Sequence, residues 1–402
     1  MKTIFTFLFA IVLFSSQAQV LNTIKYDTTN SGLPDNSIWG MDITSGDVLW
    51  LNVFGQGVVS FNGTTWTQYN TSTVNFPGNY VDDVVVDNSN NVWVAAQGLV
   101  AKFNGVSWAT MNTGNGLTDC LSKDASGNIW ASDNGLSKYN GTAWSMIAAS
   151  HPSGTSGPQE VVVDQNNNVW LTYIGETDVT MYSQTTSTWT HYDTSNVSLF
   201  SPQWWYTDIE VTHDNKIIVA GNGDSTLYFN GTTWGLLDQL SGQNMSVIKD
   251  VTVRNNVSWF GMCNGFGLGS YNGTAWKKYT TNPSYIPMMG IRFDSQGYLW
   301  MATLDGLYKV TTNTLDVNDP NSLNDVALLY PNPSDGIMIL KFISANFQKA
   351  EALVFDVSGK QVYASGLEPA ENELDLTHLP AGVYTLNMRT DNGSYFQKIV
   401  LH

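Results

Sequence analysis

The chain has 402 residues, enough for more than one domain, and it is strongly acidic, with 17 basic against 34 acidic residues and a formal net charge of −17. Such a field repels phosphate backbones, and no run of lysine or arginine supplies a basic face, so nucleic acid is excluded as a partner. Charged residues make up only 13% of the chain, and Trp, Tyr and Phe together make up 12%. This composition is typical of an exported β protein built on aromatic residues and polar turns.

Residues 1–18 have the pattern of a signal peptide. Lys2 gives the positive start, residues 4–14 form a short apolar run, and Ser16-Gln17-Ala18 offers small residues for cleavage before Gln19. The apolar run is too short to span a bilayer. We therefore expect residues 1–18 to be removed and expect no transmembrane segment in the mature chain.

One short motif returns along the chain: an aromatic residue, Asn-Gly, two small residues and Trp. It reads FNGTTW at 61–66, FNGVSW at 103–108, YNGTAW at 139–144, FNGTTW at 229–234 and YNGTAW at 271–276, with a looser copy, YSQTTSTW, at 182–189. Asn-Gly between β-forming residues predicts a tight hairpin, for which we expect a type I′ turn with positive φ at both central residues. Each copy should therefore join two antiparallel strands.

Two aromatic series give the period of the repeat. The first comprises Trp50, Trp93, Trp130, Trp170, Trp259 and Trp300, with Ile218 in the gap, and the second comprises Trp66, Trp108, Trp144, Trp189, Trp234 and Trp276. They define seven units of about 42 residues, the period of a four-stranded propeller blade. Cys120 and Cys263 fall in units three and six. We therefore favour two free, buried thiols over the alternative of a disulfide, which needs Cα atoms within about 7 Å.

The predicted fold class is all-β: a seven-bladed β-propeller followed by a small immunoglobulin-like β-sandwich. The seventh unit ends at residue 310 without its outer strand, and residues 22–30 resemble the outer strands of other units. We expect the N-terminal strand to complete the last blade and close the ring, so that the propeller covers residues 19–310. Residues 311–324 form a polar linker, and residues 325–402 contain six or seven short strands at the spacing of a sandwich.

The propeller units resemble the two-component-regulator propeller repeat. The resemblance rests on NSGLPDNSIWGM at 30–41, DASGNIW at 124–130 and DGLY at 305–308. In that family such propellers are the sensor part of membrane receptors. No transmembrane helix, kinase or DNA-binding part follows here, so the receptor role is not expected to carry over.

Residues 325–402 resemble the C-terminal sorting domain of the type IX secretion system of Bacteroidota. The likeness lies in YPNP, VFDVSGKQV and LDLTHLPAGVY, whose motif residues are Tyr330, Pro331, Asn332, Pro333, Gly359, Lys360, Pro380, Gly382 and Tyr384. The resemblance implies that the type IX secretion machinery is a partner. It also implies that the protein is secreted or attached to the outer-membrane surface.

Aligning the inner strands of the seven units gives one column with a concentration of acids. The column runs Gly40, Asp83, Cys120, Glu160, Asp208, Asp250 and Gly290. Inner strands surround the central channel of a propeller, so these carboxylates should gather near one mouth. Clustered carboxylates raise one another's pKa or attract a cation such as Ca²⁺. The alternative, which we favour, is that they accept hydrogen bonds from neighbouring blades, and we therefore predict no cofactor.

Three tryptophans lie outside both series, and two of them end a long inter-blade loop. Loops on a rigid scaffold concentrate binding residues, and exposed aromatics beside carboxylates suit a carbohydrate or peptide. The candidate ligand-binding residues are Trp39, Phe76, Asp83, Glu160, Trp204, Trp205, Tyr206, Asp208, Asp250 and Tyr285. The alternative is that the long loop tucks its aromatics over the blade ends.

Catalytic signatures are weak. A sialidase needs an arginine cluster, but the propeller segment holds only Arg254 and Arg292, and no motif surrounds His151, His191 or His213 as a propeller lyase would require. We therefore predict a secreted or cell-surface binding module for an extracellular glycan or protein, with no catalytic residues and no metal. The alternatives are a polysaccharide hydrolase or lyase that uses Asp83, Glu160 and Asp208 as acid and base, and a structural surface protein without a ligand.

Overall fold

The computed structural model describes residues 19–114, 118–132, 134–148, 158–173, 176–201, 206–221, 226–237, 248–262, 267–273, 276–282, 287–311, 327–342, 349–356, 360–369, 371–391 and 393–402. The described residues form 35 β-strands, and the chain divides into two compact units, residues 1–315 and 316–402. Within these described segments, no helix has the length and hydropathy needed to cross a membrane.

The first unit is built from seven four-stranded blades, each an antiparallel meander. Blade 1 contains β2 (Ile38–Ile43), β3 (Leu49–Val53), β4 (Gly57–Phe61) and β5 (Trp66–Tyr69). Blade 2 contains β6 (Val81–Val86), β7 (Val92–Ala96), β8 (Leu99–Phe103) and β9 (Trp108–Met111). Blade 3 contains β10 (Cys120–Lys123), β11 (Ile129–Ser132), β12 (Leu136–Tyr139) and β13 (Trp144–Ala148). Blades 4 and 5 contain β14 (Pro158–Val163), β15 (Asn168–Tyr173), β16 (Val179–Ser183) and β17 (Thr188–Tyr192); and β18 (Tyr206–Val211), β19 (Ile217–Gly221), β20 (Leu227–Phe229) and β21 (Trp234–Leu236). Blade 6 contains β22 (Ile248–Arg254), β23 (Val257–Met262), β24 (Leu268–Tyr271) and β25 (Trp276–Asn282). Blade 7 contains β26 (Met288–Phe293), β27 (Leu299–Thr303), β28 (Gly306–Val310) and, as its outer strand, β1 (Gln19–Tyr26).

The N-terminal strand closes the ring, as predicted. The seven innermost strands contact one another in chain order, and β26 returns to contact β2. Strand β1 pairs antiparallel with β28, from Thr23 opposite Val310 to Tyr26 opposite Leu307. Its first residues also run parallel to β25, the outer strand of blade 6, so β1 joins two blades and leaves no free edge at the closure.

Tryptophan pairs connect neighbouring blades. The Trp of one second strand meets the outer-strand Trp of the next blade, with ring centroids 6.1 Å apart for Trp50 and Trp108, and 6.3 Å apart for Trp93 and Trp144. Both pairs are nearly perpendicular, an arrangement that aromatic rings favour. The two aromatic series of the sequence are therefore the packing between blades.

An aspartate six residues before the second-strand Trp fixes the turn between the first two strands. Asp164 shows the arrangement: one oxygen accepts the Asn168 N–H at 2.8 Å and the other accepts the Trp170 indole N–H at 3.0 Å. The same indole contact occurs in blades 2, 3 and 7. Blade 1 has Thr44 at this position, and the buried Trp50 indole finds no acceptor among the described residues.

The Asn-Gly hairpin is wider than we expected. Phe61 pairs with Trp66, so four residues form the connection, and only Gly63 has positive φ, at 92°. The Asn62 side chain instead accepts the N–H groups of Thr64 and Thr65, at 3.1 and 2.8 Å. The type I′ prediction was wrong because this Asn shapes the turn with its side chain and not with left-handed backbone.

The second unit contains two sheets over one core. Its strands are β29 (Ala327–Tyr330), β30 (Ile337–Phe342), β31 (Ala350–Phe355), β32 (Gln361–Leu367), β33 (Glu371–Asp375), β34 (Gly382–Thr390) and β35 (Gly393–Leu401). The sheet orders are β29-β30-β33 and β32-β31-β34-β35. Buried residues of both sheets, such as Met338 and Leu386, belong to a single hydrophobic cluster, which is the arrangement of a β-sandwich.

Candidate functional site

The meander order of each blade gives the propeller two different faces. Turns between the first and second strands, and between the third and outer strands, lie on one face, which we call the hairpin face. Inter-blade loops and turns between the second and third strands lie on the opposite face, which we call the loop face. The Asn-Gly motifs belong to the hairpin face, so the repeated motif is not the place to look for a ligand.

A β-bulge recurs where the innermost strands leave the loop face. Within the described residues, six of the seven innermost strands show a shift in pairing register with the second strand of their blade. The residues directly after the shift are Gly40, Asp83, Glu160, Asp208, Asp250 and Gly290. A bulge bends a strand and re-aims a side chain. The acidic column of the sequence therefore sits at one repeated structural position near the mouth of the channel.

Several channel carboxylates hold the next blade in place. Asp83 accepts the N–H of Leu121 at 2.8 Å, and Asp250 accepts the N–H of Ile291 at 2.7 Å. In both cases the donor is on the innermost strand of the following blade, whose inner edge has no strand to pair with. Both carboxylates therefore accept a hydrogen bond from the neighbouring blade.

Basic side chains balance other carboxylates of the channel. Arg292 Nε lies 3.0 Å from Asp42 and its Nη1 lies 2.5 Å from Asp250, while Lys249 Nζ lies 2.8 and 2.9 Å from the two oxygens of Asp208. Burial raises the pKa of Asp250, and Arg292 opposes that rise. Asp208 is thus held by a lysine, and Asp83 and Asp250 accept backbone N–H groups, while burial raises the pKa of Asp83 to about 6.

Two glutamates and a thiol fill the remaining part of the acidic cluster. The Cys120 thiol is free and buried, and its Sγ lies 3.5 Å from both Asp83 Oδ2 and Glu160 Oε1. Burial, with the charges of Asp208 and Asp83, raises the pKa of Glu160 well above its usual value. Burial, with the charges of Asp250 and Glu160, does the same to the pKa of Glu210. Sequence reasoning missed Glu210, although it follows Asp208 by two residues and so shares its side of the strand.

The described residues offer neither a metal site nor a histidine in the channel. No group of three His, Cys, Asp or Glu side chains in those segments is arranged to hold a metal ion. His191 lies on the outer strand β17, 3.3 Å from Asp178, and His213 lies in the hairpin-face turn after β18, 2.9 Å from Ser258. His151 lies outside the described residues.

An exposed aromatic cluster lies on the loop face where blades 1 and 2 meet. It consists of Trp39, Phe54 and Tyr80, residues that are 49%, 50% and 56% exposed. Trp39 stacks on Phe54 with centroids 5.3 Å apart, and Tyr80 meets Phe54 edge-on at 5.6 Å. The Trp39 indole donates to the Ser37 hydroxyl at 2.8 Å, which fixes the ring. Contiguous exposed apolar surface of this kind marks interaction sites.

Local sequence explains how the cluster forms. Trp39 is the residue of β2 that the bulge leaves without a pairing partner, Phe54 is in the turn between β3 and β4, and Tyr80 immediately precedes β6. Gly55 has φ of 65°, which gives the turn after Phe54 its shape, and an added Cβ there would lie 3.6 Å from the Tyr80 ring. Phe54 was missed from the sequence; the available signal was an aromatic residue directly before a turn glycine.

Acidic residues flank the aromatic cluster along the channel mouth. Asp82 and Asp119 directly precede the acidic-column positions Asp83 and Cys120 in blades 2 and 3, as Trp39 directly precedes Gly40 in blade 1. Partial burial, together with the charges of Asp119 and Asp83, raises the pKa of Asp82 to about 6. The mouth therefore has an aromatic and acidic sector across blades 1 to 3.

Other predicted ligand-binding aromatics are not at the surface. Phe76 is 6% exposed and packs edge-on against Trp108 at 4.9 Å. Tyr206 is 1% exposed and packs against Phe200 at 5.0 Å. Both predictions are corrected here, because these loops direct their aromatics into the core between blades. Trp204, Trp205 and Tyr285 lie outside the described residues.

The YPNP motif of the second unit secures the C-terminal strand. The Asn332 side chain donates to the Lys398 carbonyl at 2.7 Å and accepts the Val400 N–H at 3.0 Å. Ser334 continues this contact through its backbone, to Val400 and His402. The segment that contains Pro331 and Pro333 therefore runs along the open edge of β35, and Tyr330 at its start is 42% exposed.

The remaining motif residues shape turns. Tyr384 donates its hydroxyl to the Pro380 carbonyl at 2.7 Å, which ties down the loop before Gly382 and β34. The Lys360 N–H donates to Asp356 at 3.0 Å across the turn between β31 and β32. Gly359 lies outside the described residues.

The second unit carries a family match that decides its role. Residues 328–402 match the family described as a secretion system C-terminal sorting domain. The C-terminal unit is a type IX secretion system sorting domain. The sorting domain directs the protein to the outside of the cell or its surface, and it makes the secretion machinery a partner.

Solved structures with the same fold include enzymes and binding domains. A catalytically inactive virginiamycin B lyase from Staphylococcus aureus with quinupristin has a TM-score of 0.58 and 14% identity, over 72% of this chain and 99% of that one. The extracellular domain of a one component system from B. thetaiotaomicron has a TM-score of 0.57 and 14% identity, over 96% of this chain and 60% of that one. YCF48 bound to D1 peptide has a TM-score of 0.54 and 14% identity, over 74% of this chain and 100% of that one. At these identities the likeness shows the propeller fold alone. No curated protein matches this chain in sequence.

Proposed function

We propose that this exported propeller is a binding module whose ligand, an extracellular glycan or protein, docks on the loop face at Trp39, Phe54 and Tyr80. The observation that carries the proposal is the contact among three half-exposed aromatic rings on a closed and rigid ring of blades. Trp39 is already held by Phe54 and Ser37, so little side-chain entropy remains to be lost when a ligand covers it.

Burial of the cluster would contribute binding free energy. A half-exposed aromatic side chain leaves on the order of 100 Å² to bury, worth about 2.5 kcal/mol at about 25 cal/mol per Å². Burial of three such rings would offset part of the entropic cost of association. Asp82 and Asp119 beside them add acceptors for sugar hydroxyls or for basic groups of a protein.

Two propellers of similar fold have been solved with a bound molecule, which supports a ligand-binding use of this scaffold. One was solved with quinupristin and the other with the D1 peptide. The ligand of the present chain depends on its own loop face, where the aromatic cluster is the most exposed apolar feature that we describe.

The test is a binding screen of residues 19–402 against a glycan array and a panel of extracellular proteins. Trp39→Ala and Tyr80→Ala should weaken any hit about tenfold or more, since tenfold corresponds to about 1.4 kcal/mol. Met146→Ala is the matched control, because Met146 is also 50% exposed but lies on the outer strand β13. Circular dichroism should show that all variants fold. Hits that bind Trp39→Ala and Tyr80→Ala as tightly as the unaltered chain would contradict the proposal, and so would the absence of any hit.

A further inference from the structure

The outer face of the three-stranded sheet in the sorting domain is unexpectedly apolar. In a small sandwich, strands ordinarily alternate between apolar residues that face the core and polar residues that face water. Strands β29 and β30 bury Leu329 and Met338 as expected, but their outward positions hold Leu328, Tyr330 and Ile337, which are 48%, 42% and 41% exposed.

Pairing register makes these residues one continuous surface. Tyr330 is directly opposite Ile339, and Ile337 precedes Ile339 by two residues on the same side of β30. Directly opposed residues on one face of a sheet have Cβ atoms about 4.5–5.5 Å apart. We call the surface formed by Leu328, Tyr330, Ile337 and Ile339 the apolar strip.

Carboxylates border the apolar strip on one side. The neighbouring edge strand β33 directs Glu371, Glu373 and Asp375 outward, with Glu373 opposite Ile339 and Asp375 opposite Ile337. Lys341 lies directly opposite Leu328, so one basic residue borders the Leu328 end of the strip, and its Nζ is 3.4 Å from Glu371. The strip therefore has an apolar centre and an acidic rim, which complements a partner with an apolar groove and basic side chains.

The other sheet of the domain exposes less apolar surface among its described residues. Val383 is 44% exposed, whereas Leu353, which faces away from the core residues Ala352 and Val354, is 5% exposed. Arg389 and Glu351 lie on the same outward side as Leu353, with their charged groups 3.8 Å apart. The apolar strip is therefore the larger exposed apolar surface of the two sheets.

We propose that the apolar strip is the surface through which the secretion machinery recognises the sorting domain. A sorting domain must be bound by the secretion machinery to act. The strip offers apolar surface that a partner can bury, and its acidic rim can orient a partner with basic side chains. A second copy of this chain is a poorer occupant. A two-fold contact through the strip brings two acidic rims together, and like charges oppose it.

The experiment expresses the full-length protein in a bacterium that has a type IX secretion machinery. Immunoblots then measure the fraction that reaches the medium and cell surface against the fraction retained in the periplasm. Leu328→Glu and Ile337→Glu should lower the exported fraction about tenfold, a loss of about 1.4 kcal/mol in recognition. Glu373→Lys should lower it as well, because it reverses part of the acidic rim. Val383→Glu is the matched control and should export normally.

Milder variants separate recognition from folding. Leu328→Thr and Ile337→Thr remove apolar area but keep strand propensity, so they should fold, resist periplasmic proteolysis and still export poorly. Normal export of the threonine variants would overturn the proposal, and so would an equal loss of export by Val383→Glu. Sedimentation of the purified full chain tests the remaining occupant: a dimer that Leu328→Glu dissolves would assign the strip to self-association.

Discussion

Replacing Arg292 with methionine tests whether the channel ion pairs hold the ring of blades together. Arg292 is on β26 of blade 7, and its guanidinium contacts Asp42 of blade 1 at 3.0 Å and Asp250 of blade 6 at 2.5 Å. One side chain therefore links three consecutive blades. Methionine keeps an aliphatic stem in the channel but removes the positive charge.

The expected cost follows from the burial of the partners. Removing one member of a buried pair costs about 3–5 kcal/mol, because the remaining charge stays buried without a counter-charge. The Arg292 side chain is 25% exposed and the two carboxylate side chains are 10% exposed. We expect the lower end of the range, about 3 kcal/mol in the free energy of unfolding.

Urea unfolding followed by tryptophan fluorescence measures this loss in the right part of the chain. All 15 tryptophans lie between residues 39 and 300, so the signal reports the propeller unit. Lys25→Met is the control. The pair of Lys25 with Asp305 spans 2.8 Å, but its side chains are 32% and 61% exposed, and such a pair contributes about 0–1 kcal/mol.

The pH dependence provides a second, independent readout. Burial raises the pKa of Asp250 and of Glu210, and Arg292 opposes both rises. A carboxyl whose folded pKa lies above its unfolded value adds stability below about pH 4, and this stability is lost as the pH rises through the folded pKa. The deficit of Arg292→Met should therefore grow between about pH 4.5 and about pH 8. A deficit below about 1 kcal/mol at the higher pH, or an equal deficit at both, would refute the reasoning.

Two further predictions concern the turns and the buried thiol. Thr44→Asp should raise the free energy of unfolding by about 1 kcal/mol, because it gives the Trp50 indole the acceptor that Asp164 gives Trp170, and Asp164→Thr should lower it by about 1–2 kcal/mol in the same urea assay. Shifts of the same sign in both variants would contradict this account. Burial and the neighbouring carboxyls of Glu160 and Asp83 raise the pKa of the Cys120 thiol. In a Cys263→Ser background, Cys120 should therefore react with Ellman's reagent at pH 8 about 100-fold more slowly in the native than in the urea-unfolded chain. Equal rates would show that the thiol is accessible.

Repetition made the fold readable from the sequence. The Trp series, the aspartate six residues before Trp and the Asn-Gly connections act over a few residues, and each recurs about every 42 residues. Local signals of this kind predict strands and turns directly. The missing outer strand of blade 7 and its replacement by the N-terminal strand could also be predicted, because a ring must pair its last edge.

The site residues were harder to predict because their partners lie in other blades. Asp83 is tied to Leu121, 38 positions later, and nothing near Asp83 in the sequence shows that this amide is its partner. The acidic column could be found from the sequence, but which of its carboxylates accept a backbone N–H of the next blade and which pair with a basic side chain could not. That division depends on which neighbouring side chain each bulge faces across the channel.

Exposure was likewise decided by the tertiary structure. Phe76 and Phe54 are both aromatic residues of loop-face connections, yet Phe76 packs under Trp108 and Phe54 remains half exposed against Trp39. In the sorting domain, Asn332 reaches Val400, 68 positions away. The sequence by itself therefore determined the repeat, the blade and the ring, since these follow from local periodicity. Only the tertiary structure decided which aromatics and carboxylates are available, since that depends on how separate blades and strands meet.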